Sequence, residues 1–226
     1  MGIDYNNVIV SDGLVLYIDA ANPRSYSGAG LTANGLIGGI GGTLVNGVGF
    51  TSSNNGSFTF DGTNDYIAVS GANFPLSNSP RTLNIWYYTK TSTWQSNANN
   101  LFWYGTAFIT RQSFGIDFDT YPMMEFYSWG DDLNWNTTRP QEGWNNLQIT
   151  YDGNLSLNVY ESGILVATKT FGGQLNTVLS SNVQIGAITS ISGYFDSNIS
   201  QVSMYNRALS ATEVLQNYNA TKGRYR

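Results

Sequence analysis

The sequence predicts an all-β protein, an antiparallel β-sandwich of the jelly-roll kind, closed by one short C-terminal helix. Strand-length apolar segments recur along the whole chain, separated by Gly, Asn, Asp and Ser. The composition suits pleated surfaces with many connections: 25 Gly, 15 Tyr, 11 Phe and 6 Trp in 226 residues. Aromatic side chains fit a half-buried sheet, and Gly and Asn supply turns of positive φ. Helical spacing occurs once, in SMYNRALSATEVLQNYNA at 203–220.

Each element follows from its local pattern. LVLYID (14–19) is a near-continuous apolar run, as in a buried strand. SFTFDG (57–62) puts Phe58 and Phe60 on one face. TLNIWYYT (82–89) sets Leu83, Ile85 and Tyr87 against Asn84, Trp86 and Tyr88. WNNLQITYDG (144–153) and LSLNVYES (155–162) meet across a short DGN connection, a hairpin signal, and GILVATKTF (163–171) extends it. VQIGAI (183–188) and NISQVSMYN (198–206) complete the series. In the last strand Phe195 and Ile199 share one parity, Val202 and Met204 the other. All four reach the core only if one residue is extra, which predicts a β-bulge near Ser200 and Gln201.

Ser210 and Glu213 form an S-x-x-E capping box, and Val214, Leu215 and Tyr218 make one apolar stripe. A helix is expected at about 211–219, fraying through KGRYR. Segments 28–49 and 90–100 read as long loops. The glycines of the first lack the GxxxxGK[ST] pattern and the strand–helix context of a phosphate cradle. One domain, residues 11–226, follows an N-terminal arm at 1–10.

Composition also excludes functions. There is no Cys and no His, so thiolate chemistry, the commonest zinc ligand and the usual general base are missing. With 10 basic and 15 acidic residues, the net charge of −5 offers no basic footprint for nucleic acid. The tail residues Lys222, Arg224 and Arg226 read as a solvated terminus. No apolar stretch is long enough to cross a bilayer, and MGIDYNNVIVSDG has no signal-peptide pattern. A soluble protein without a membrane or nucleic-acid partner is expected.

Several stretches in order, DGLVLYIDAANPRSYSG (12–28), SFTFDGTNDYIAV (57–69), TLNIWYY (82–88), WNNLQITYDG (144–153) and ISQVSMYNRALSATEVLQNY (199–218), carry a resemblance. They resemble the concanavalin A-like lectin/glucanase superfamily, in its laminin-G-like branch, and cover nearly the whole chain. The opening stretch is most similar to members found in tailed-phage virion proteins. The resemblance implies a concanavalin A-like β-sandwich and a non-enzymatic virion protein, a capsid decoration or a head or tail fibre component. Its partners would be capsid or tail proteins of the same particle, with weak adhesion to cell-surface or environmental glycans and a possible homo-oligomer. Assembly would take place in the host cytoplasm. The alternative is a secreted or surface carbohydrate-binding module of a bacterium. Where family members often carry an acidic pair that helps bind calcium, this chain has Ser200 and Gln201, which weakens a hard-cation site.

Glucanases of the superfamily place carboxylates as E-x-D-x-x-E on one strand. The nearest approach is GIDFDTYPMMEF, where Asp117 and Asp119 share a face and Glu125 lies beyond a Tyr-Pro break. By that spacing no catalytic pair forms. Sugar binding needs only aromatic faces and hydroxyl partners. EFYSWGDDLNWN offers Tyr127, Trp129 and Trp135 beside Asp131, Asp132 and Asn134. The competing reading makes the tryptophans core or loop-packing residues and the acidic pair a turn cap. Trp94 and Trp103 are weaker candidates, Trp103 within an apolar LFWYG run. No catalytic residue, metal ligand or cofactor is assigned. Calcium at Asp61, Asn64 and Asp65 competes with an Asx-type turn between strands.

Overall fold

Side-chain alternation decides where strands form and which face each residue takes. The computed structural model describes residues 8–94, 99–179 and 182–225. The strands are β1 (Leu14–Asp19), β2 (Thr32–Ala33), β3 (Gly42–Val45), β4 (Gly49–Thr51), β5 (Ser57–Thr59) and β6 (Tyr66–Val69). Next come β7 (Arg81–Thr89), β8 (Asn99–Gly105), β9 (Ser113–Phe118), β10 (Met123–Tyr127), β11 (Leu133–Asn136) and β12 (Gly143–Tyr151). The series ends with β13 (Ser156–Glu161), β14 (Ile164–Thr170), β15 (Val183–Ile185), β16 (Ala187–Ile188), β17 (Gly193–Tyr194) and β18 (Asn198–Tyr205), before α1 (Ala211–Thr221).

Two antiparallel sheets result. The first runs β14-β13-β12-β7-β18-β5-β4, with β1 also on β18; the second runs β11-β10-β9-β8-β15-β6-β3-β2. Their inner faces make one core. Leu83, Ile85 and Tyr87 of β7 meet Phe102, Tyr104, Phe114, Ile116, Phe118, Met124 and Phe126 from the second sheet. Each such side chain contributes roughly 1.5–3 kcal/mol on burial. Phe195, Ile199, Val202 and Met204 all lie in this core, because the register against β7 slips between Ile199 and Gln201. That is the bulge the parity demands. Arg81 is fully buried, and its guanidinium donates to Ser77 O, Ser79 O, Tyr104 Oη and Thr177 Oγ1. Carbonyl and hydroxyl acceptors and the faces of Tyr104, Phe114 and Tyr151 thus solvate its charge.

The helix starts where the capping box puts it: Ser210 N donates to Glu213 Oε2 at 2.9 Å and Glu213 N to Ser210 Oγ at 3.4 Å. Its buried side differs from expectation. Val214, Asn217 and Thr221 are buried, whereas Leu215 is 44% exposed. The reason is that α1 lies on the polar outer face of the first sheet. Gln148 Nε2 donates to Val214 O, Asn217 Nδ2 to Tyr205 Oη, and Trp86 Nε1 to Thr221 Oγ1. A smaller apolar cluster, Val10, Leu14, Tyr160, Tyr205, Leu209 and Val214, fills the remaining space.

The tail after the helix is not a frayed, solvated end. A 3-10 turn (Lys222–Arg224) follows α1. Arg224 then forks onto Asp19 at 2.8 and 2.6 Å, and Tyr225 stacks on Trp86 with centroids 3.9 Å apart. A carboxylate as buried as Asp19 requires a cation, and the tail supplies it. Arg226 and residues 1–7 of the arm lie outside the described residues. Val8 O accepts from Gln216 Nε2, and Val10 N donates to Asn217 Oδ1, so the end of the arm follows the helix.

Segment 28–49 contains β2, β3 and the start of β4 rather than loop alone. Its glycines hide the pattern for a packing reason. A Cβ on Gly42 would fall 2.4 Å from Ile67 Cγ2, so β3 approaches β6 too closely for a side chain there. In the expected loop 90–100, Thr91–Trp94 form a 3-10 turn and β8 begins at Asn99; residues 95–98 lie outside the described residues.

Candidate functional site

The two outer faces differ. The first sheet's is covered by α1 and the tail. The second sheet's carries a polar row and an aromatic cluster with no such cover from the helix.

The polar row comes from strand register. Tyr121–Pro122 (a cis peptide) lies in the connection between β9 and β10. Met123 N donates to Thr120 O, and Asp119 N to Met123 O. The chain thereby folds back so that Glu125 sits directly opposite Asp117. The Tyr-Pro segment joins these carboxylates instead of separating them, correcting the expectation drawn from linear spacing. Asp117 in turn opposes Asn100 of β8, and Glu125 opposes Asn134 of β11. Opposed residues share a face, with Cβ atoms about 4.5–5.5 Å apart. Asn100, Asp117, Glu125 and Asn134 therefore form one row across four strands. The row runs from buried to exposed: Asn100 is 0% and Asp117 7% exposed, Glu125 is half-buried, and Asn134 is exposed.

Electrostatics follow that gradient. Burial, with smaller repulsion from Glu125 and Asp119, pushes the Asp117 carboxyl up to about 8 despite a hydrogen bond from Phe118 N. Burial, then repulsion from Asp132 and Asp119, raises Glu125 to about 7. Tyr127 is raised to about 12 by burial and by the neighbouring acids, so its phenol stays neutral. Asn100 is distinctive: its Nδ2 and Oδ1 are both buried without a hydrogen-bond partner.

The next row along the face is aromatic. Trp103 opposes Gly115, which opposes Tyr127. A Cβ on Gly115 would lie 2.5 Å from Trp103 Cε3, so the glycine lets the indole lie against the sheet. Trp129 packs edge-on to Trp103 at 5.6 Å and to Phe108 at 4.7 Å, with Tyr127 at 5.2 Å. Phe108 is 69% exposed. Trp129 and Phe108 both adopt positive φ, 67° and 65°, a strained conformation for bulky residues and one that clusters at functional positions. Asp132 holds the turn, accepting from Ser128 N at 2.6 Å and Gly130 N at 2.9 Å.

The residues expected from sequence divide. Tyr127, Trp129 and Asn134 lie on this surface. Asp132 caps the turn beneath Trp129. Asp131 anchors the turn from outside, pairing with Lys169 at 2.9 Å and Arg111 at 3.2 Å and accepting from Gly172 N. Burial opposes it, yet hydrogen bonds from Lys169, Gly172 and Arg111 hold Asp131 below the usual carboxylate range. Trp135 faces the opposite way. It is 7% exposed within the core, and its Nε1 donates to Glu161 Oε1 of β13 at 3.0 Å, tying the two sheets together. Period two explains this: Asn134 and Trp135 are neighbours in sequence and cannot share a face. Trp94 is likewise buried, donating to Gln141 O. Strand pairing brings the half-buried Glu125 to this face above the buried Asn100, Asp117 and Trp103 (3% exposed); sequence spacing offered Trp103 only as a weaker candidate and did not join the other three.

Among the described residues no group of three or more His, Cys, Asp or Glu side chains could hold a metal ion. At the position where relatives often carry an acidic pair, Ser200 Oγ donates to Gly56 O and Gln201 Nε2 donates to Asp19 Oδ2 and Tyr17 Oη. Arg224 already neutralises Asp19, so this donor set does not fit calcium. In the DGTNDY turn Asp61 Oδ1 accepts from Thr63 N and Asp65 Oδ2 from Asp61 N, an Asx-type turn.

Residues 61–215 match the Laminin_G_3 model of the concanavalin A-like lectin/glucanases superfamily. Among solved structures, the chain is similar to the binding domain of botulinum neurotoxin serotype G (TM-score 0.69, 15% identity, 91% of this chain, 50% of that one). It is similar to domain 4 of AbnA, an extracellular arabinanase from Geobacillus stearothermophilus in complex with arabinotriose (TM-score 0.66, 15% identity, 91% of this chain, 98% of that one). It is also similar to a Trypanosoma rangeli sialidase (TM-score 0.68, 15% identity, 94% of this chain, 34% of that one). The chain thus spans half of the neurotoxin domain and nearly all of the arabinanase domain. Among curated protein sequences, none matches.

Proposed function

The chain belongs to the concanavalin A-like lectin/glucanases superfamily, and from that premise we propose that it is a non-catalytic carbohydrate-binding module. Its binding surface is the outer face of the second sheet. The observation that carries this reading is the Trp129–Tyr127–Phe108 cluster, packed on the buried Trp103, beside the accessible end of the polar row, Glu125 and Asn134. Aromatic rings take the apolar face of a pyranose or furanose, and the carboxamides and carboxyls take its hydroxyls. The likeness to a domain seen with arabinotriose supports the same ligand class.

The non-catalytic reading is supported by the burial of Asp117 and by its hydrogen bond from Phe118 N at 2.7 Å. A nucleophilic carboxylate must reach an anomeric carbon. The setting we propose is a tailed-phage particle, as a capsid decoration or fibre component docked on capsid or tail proteins; it rests on the sequence resemblance at 12–28. A bacterial surface or secreted module is the alternative. A glycan array on the intact chain is the test. At least one glycan binds, and Trp129→Ala or Tyr127→Ala weakens it tenfold or more while the melting temperature moves little. Absence of any bound glycan overturns the reading. Cryo-electron microscopy of the native particle separates the settings: density on a capsid or tail lattice supports the first, absence from any particle the second.

A further inference from the structure

Three segments converge at the aromatic end of the second sheet's outer face. Arg111 N donates to Ser128 O, Asn176 N to Arg111 O and Val178 N to Gln112 O, while Thr106 Oγ1 donates to Val178 O. The loop between β8 and β9 is thereby tied to the turn of Trp129 and to segment 176–178. Together they hold out Phe108, Ile109 and Val178, all exposed, with Trp129 and Tyr127 partly exposed. Large apolar side chains gathered on a surface in this way mark a contact site. Phe108 keeps its outward place on a φ of 65°, which a bulky residue adopts only where its surroundings impose it.

Ring geometry sets what can lie there. The planes of Trp129 and Phe108 meet at 79° with centroids 4.7 Å apart, and those of Trp129 and Tyr127 meet at 53°. A sugar ring stacked on one of these faces therefore turns its edge to another. The edge of an ordinary hexose carries hydroxyls, and a hydroxyl pressed on an aromatic face loses its water with no partner gained. A methyl group at that edge is favoured instead, because it withdraws apolar surface from water. Polar partners for the rest of the ligand are accessible. Glu125, half-buried, precedes Tyr127 by two residues on the same face of β10, about 7 Å along the strand, and the exposed Asn134 opposes it. The buried Asn100 and Asp117 take no part. Resting on the glycan-binding reading, we infer that this corner is a subsite for a sugar unit bearing a methyl-ended group, an N-acetylated or a 6-deoxy sugar. Phe108 and Ile109, with Val178 at the base of their loop, select that group over a hydroxyl.

The test titrates the intact protein with trisaccharides matched except at the substituent. Chitotriose against cellotriose reads the N-acetyl group; an α-L-rhamnosyl trisaccharide against its L-mannosyl counterpart reads the 6-deoxy position. In at least one pair the methyl-bearing member is expected to bind tenfold or more tightly than its partner, and that pair identifies the substituent. Phe108→Asn with Ile109→Ser shrinks the ratio below threefold. Asparagine tolerates the positive φ and both residues are exposed, so the melting temperature moves little. Equal or absent binding within both pairs, or an unchanged ratio in the double variant, overturns the inference. Sedimentation tests the other occupant: a dimer that the double variant dissociates, with the ratio unchanged, makes the patch a contact between copies, and the inference falls. If any of these results appears while Trp129→Ala still abolishes binding of some glycan, the glycan-binding reading stands without it. If no glycan on the array binds the unmodified protein, both fall.

Discussion

The two outer faces of the sandwich each carry tryptophan and acidic residues and are finished in different ways. On the first sheet, Trp86 is 3% exposed, stacks on Tyr218 and Tyr225, and donates to Thr221. On the second, Trp129 stays partly exposed beside Phe108, on a backbone of positive φ. Acids diverge in the same way. Burial opposes it, but Arg224, Gln201 and Ala21 N hold Asp19 below its ordinary value. Hydrogen bonds from Arg207 and Ser210, against burial, bring Glu213 to about 2. Asp117, which accepts only from Phe118 N, and Glu125 have no paired cation among the described residues and rise to about 8 and about 7. The helix, the tail and Arg224 close one face, whereas on the other the Asn100 side chain has no hydrogen-bond partner.

The sharpest way to break this comparison is to exchange the roles of the two tryptophans. Trp86→Ala removes a stacked, hydrogen-bonded anchor and should destabilise the fold by roughly 3–5 kcal/mol in urea unfolding. Trp129→Ala should leave stability within about 1 kcal/mol while abolishing binding. Comparable stability losses would mean that both faces are structural. Next in size, Arg224→Ala strands the Asp19 carboxylate. A loss of about 2–3 kcal/mol is expected, with earlier release of the C-terminal residues in hydrogen exchange. No loss would mean that the tail merely rests on the sheet.

The smallest effect is a pair of opposite pH dependences. Glu213 has a lowered folded value, so its contribution is present above the ordinary glutamate range and is lost as pH falls through about 2. Asp117 and Glu125 have raised values, so theirs is complete below about pH 4 and is lost as pH rises through about 7 and about 8. Thermal melts should therefore show the protein less stable at pH 9 than at pH 6. The Asp117→Asn, Glu125→Gln variant should lack that decline, a difference on the order of 2–4 °C. An identical decline in both proteins would remove the carboxyl pair as its cause.

Much of this was legible one strand at a time. The alternation in TLNIWYYT put Leu83, Ile85 and Tyr87 on one face, which the structure makes the core face, and the parity conflict between Ile199 and Val202 called for a bulge near Ser200 and Gln201, where the register slips between Ile199 and Gln201. Ser210 and Glu213 marked the helix start because a capping box is satisfied within four residues. The candidate site was only half legible. Tyr127, Trp129 and Asn134 were found because they sit close together in sequence; Trp135 was included for the same reason, although alternation turns it inward. Asn100 escaped, and Asp117 and Glu125 were noticed but kept apart, because residues 100, 117 and 125 meet only through pairing of three strands.

By itself, the sequence determined what short-range physics controls in the segments it marked: strands such as 14–19, 82–89, 144–162 and 198–205, which of their side chains share a face, where the bulge falls and where the helix begins. Side-chain period and capping are local, so no partner strand is needed to read them. Only the tertiary structure decided that Arg224 closes on Asp19, 205 residues away in the chain, and that Glu125 stands against Asp117. It also decided that Asn100 is buried beside them without a partner. Strand order and register bring those groups together, and they depend on how the whole core packs.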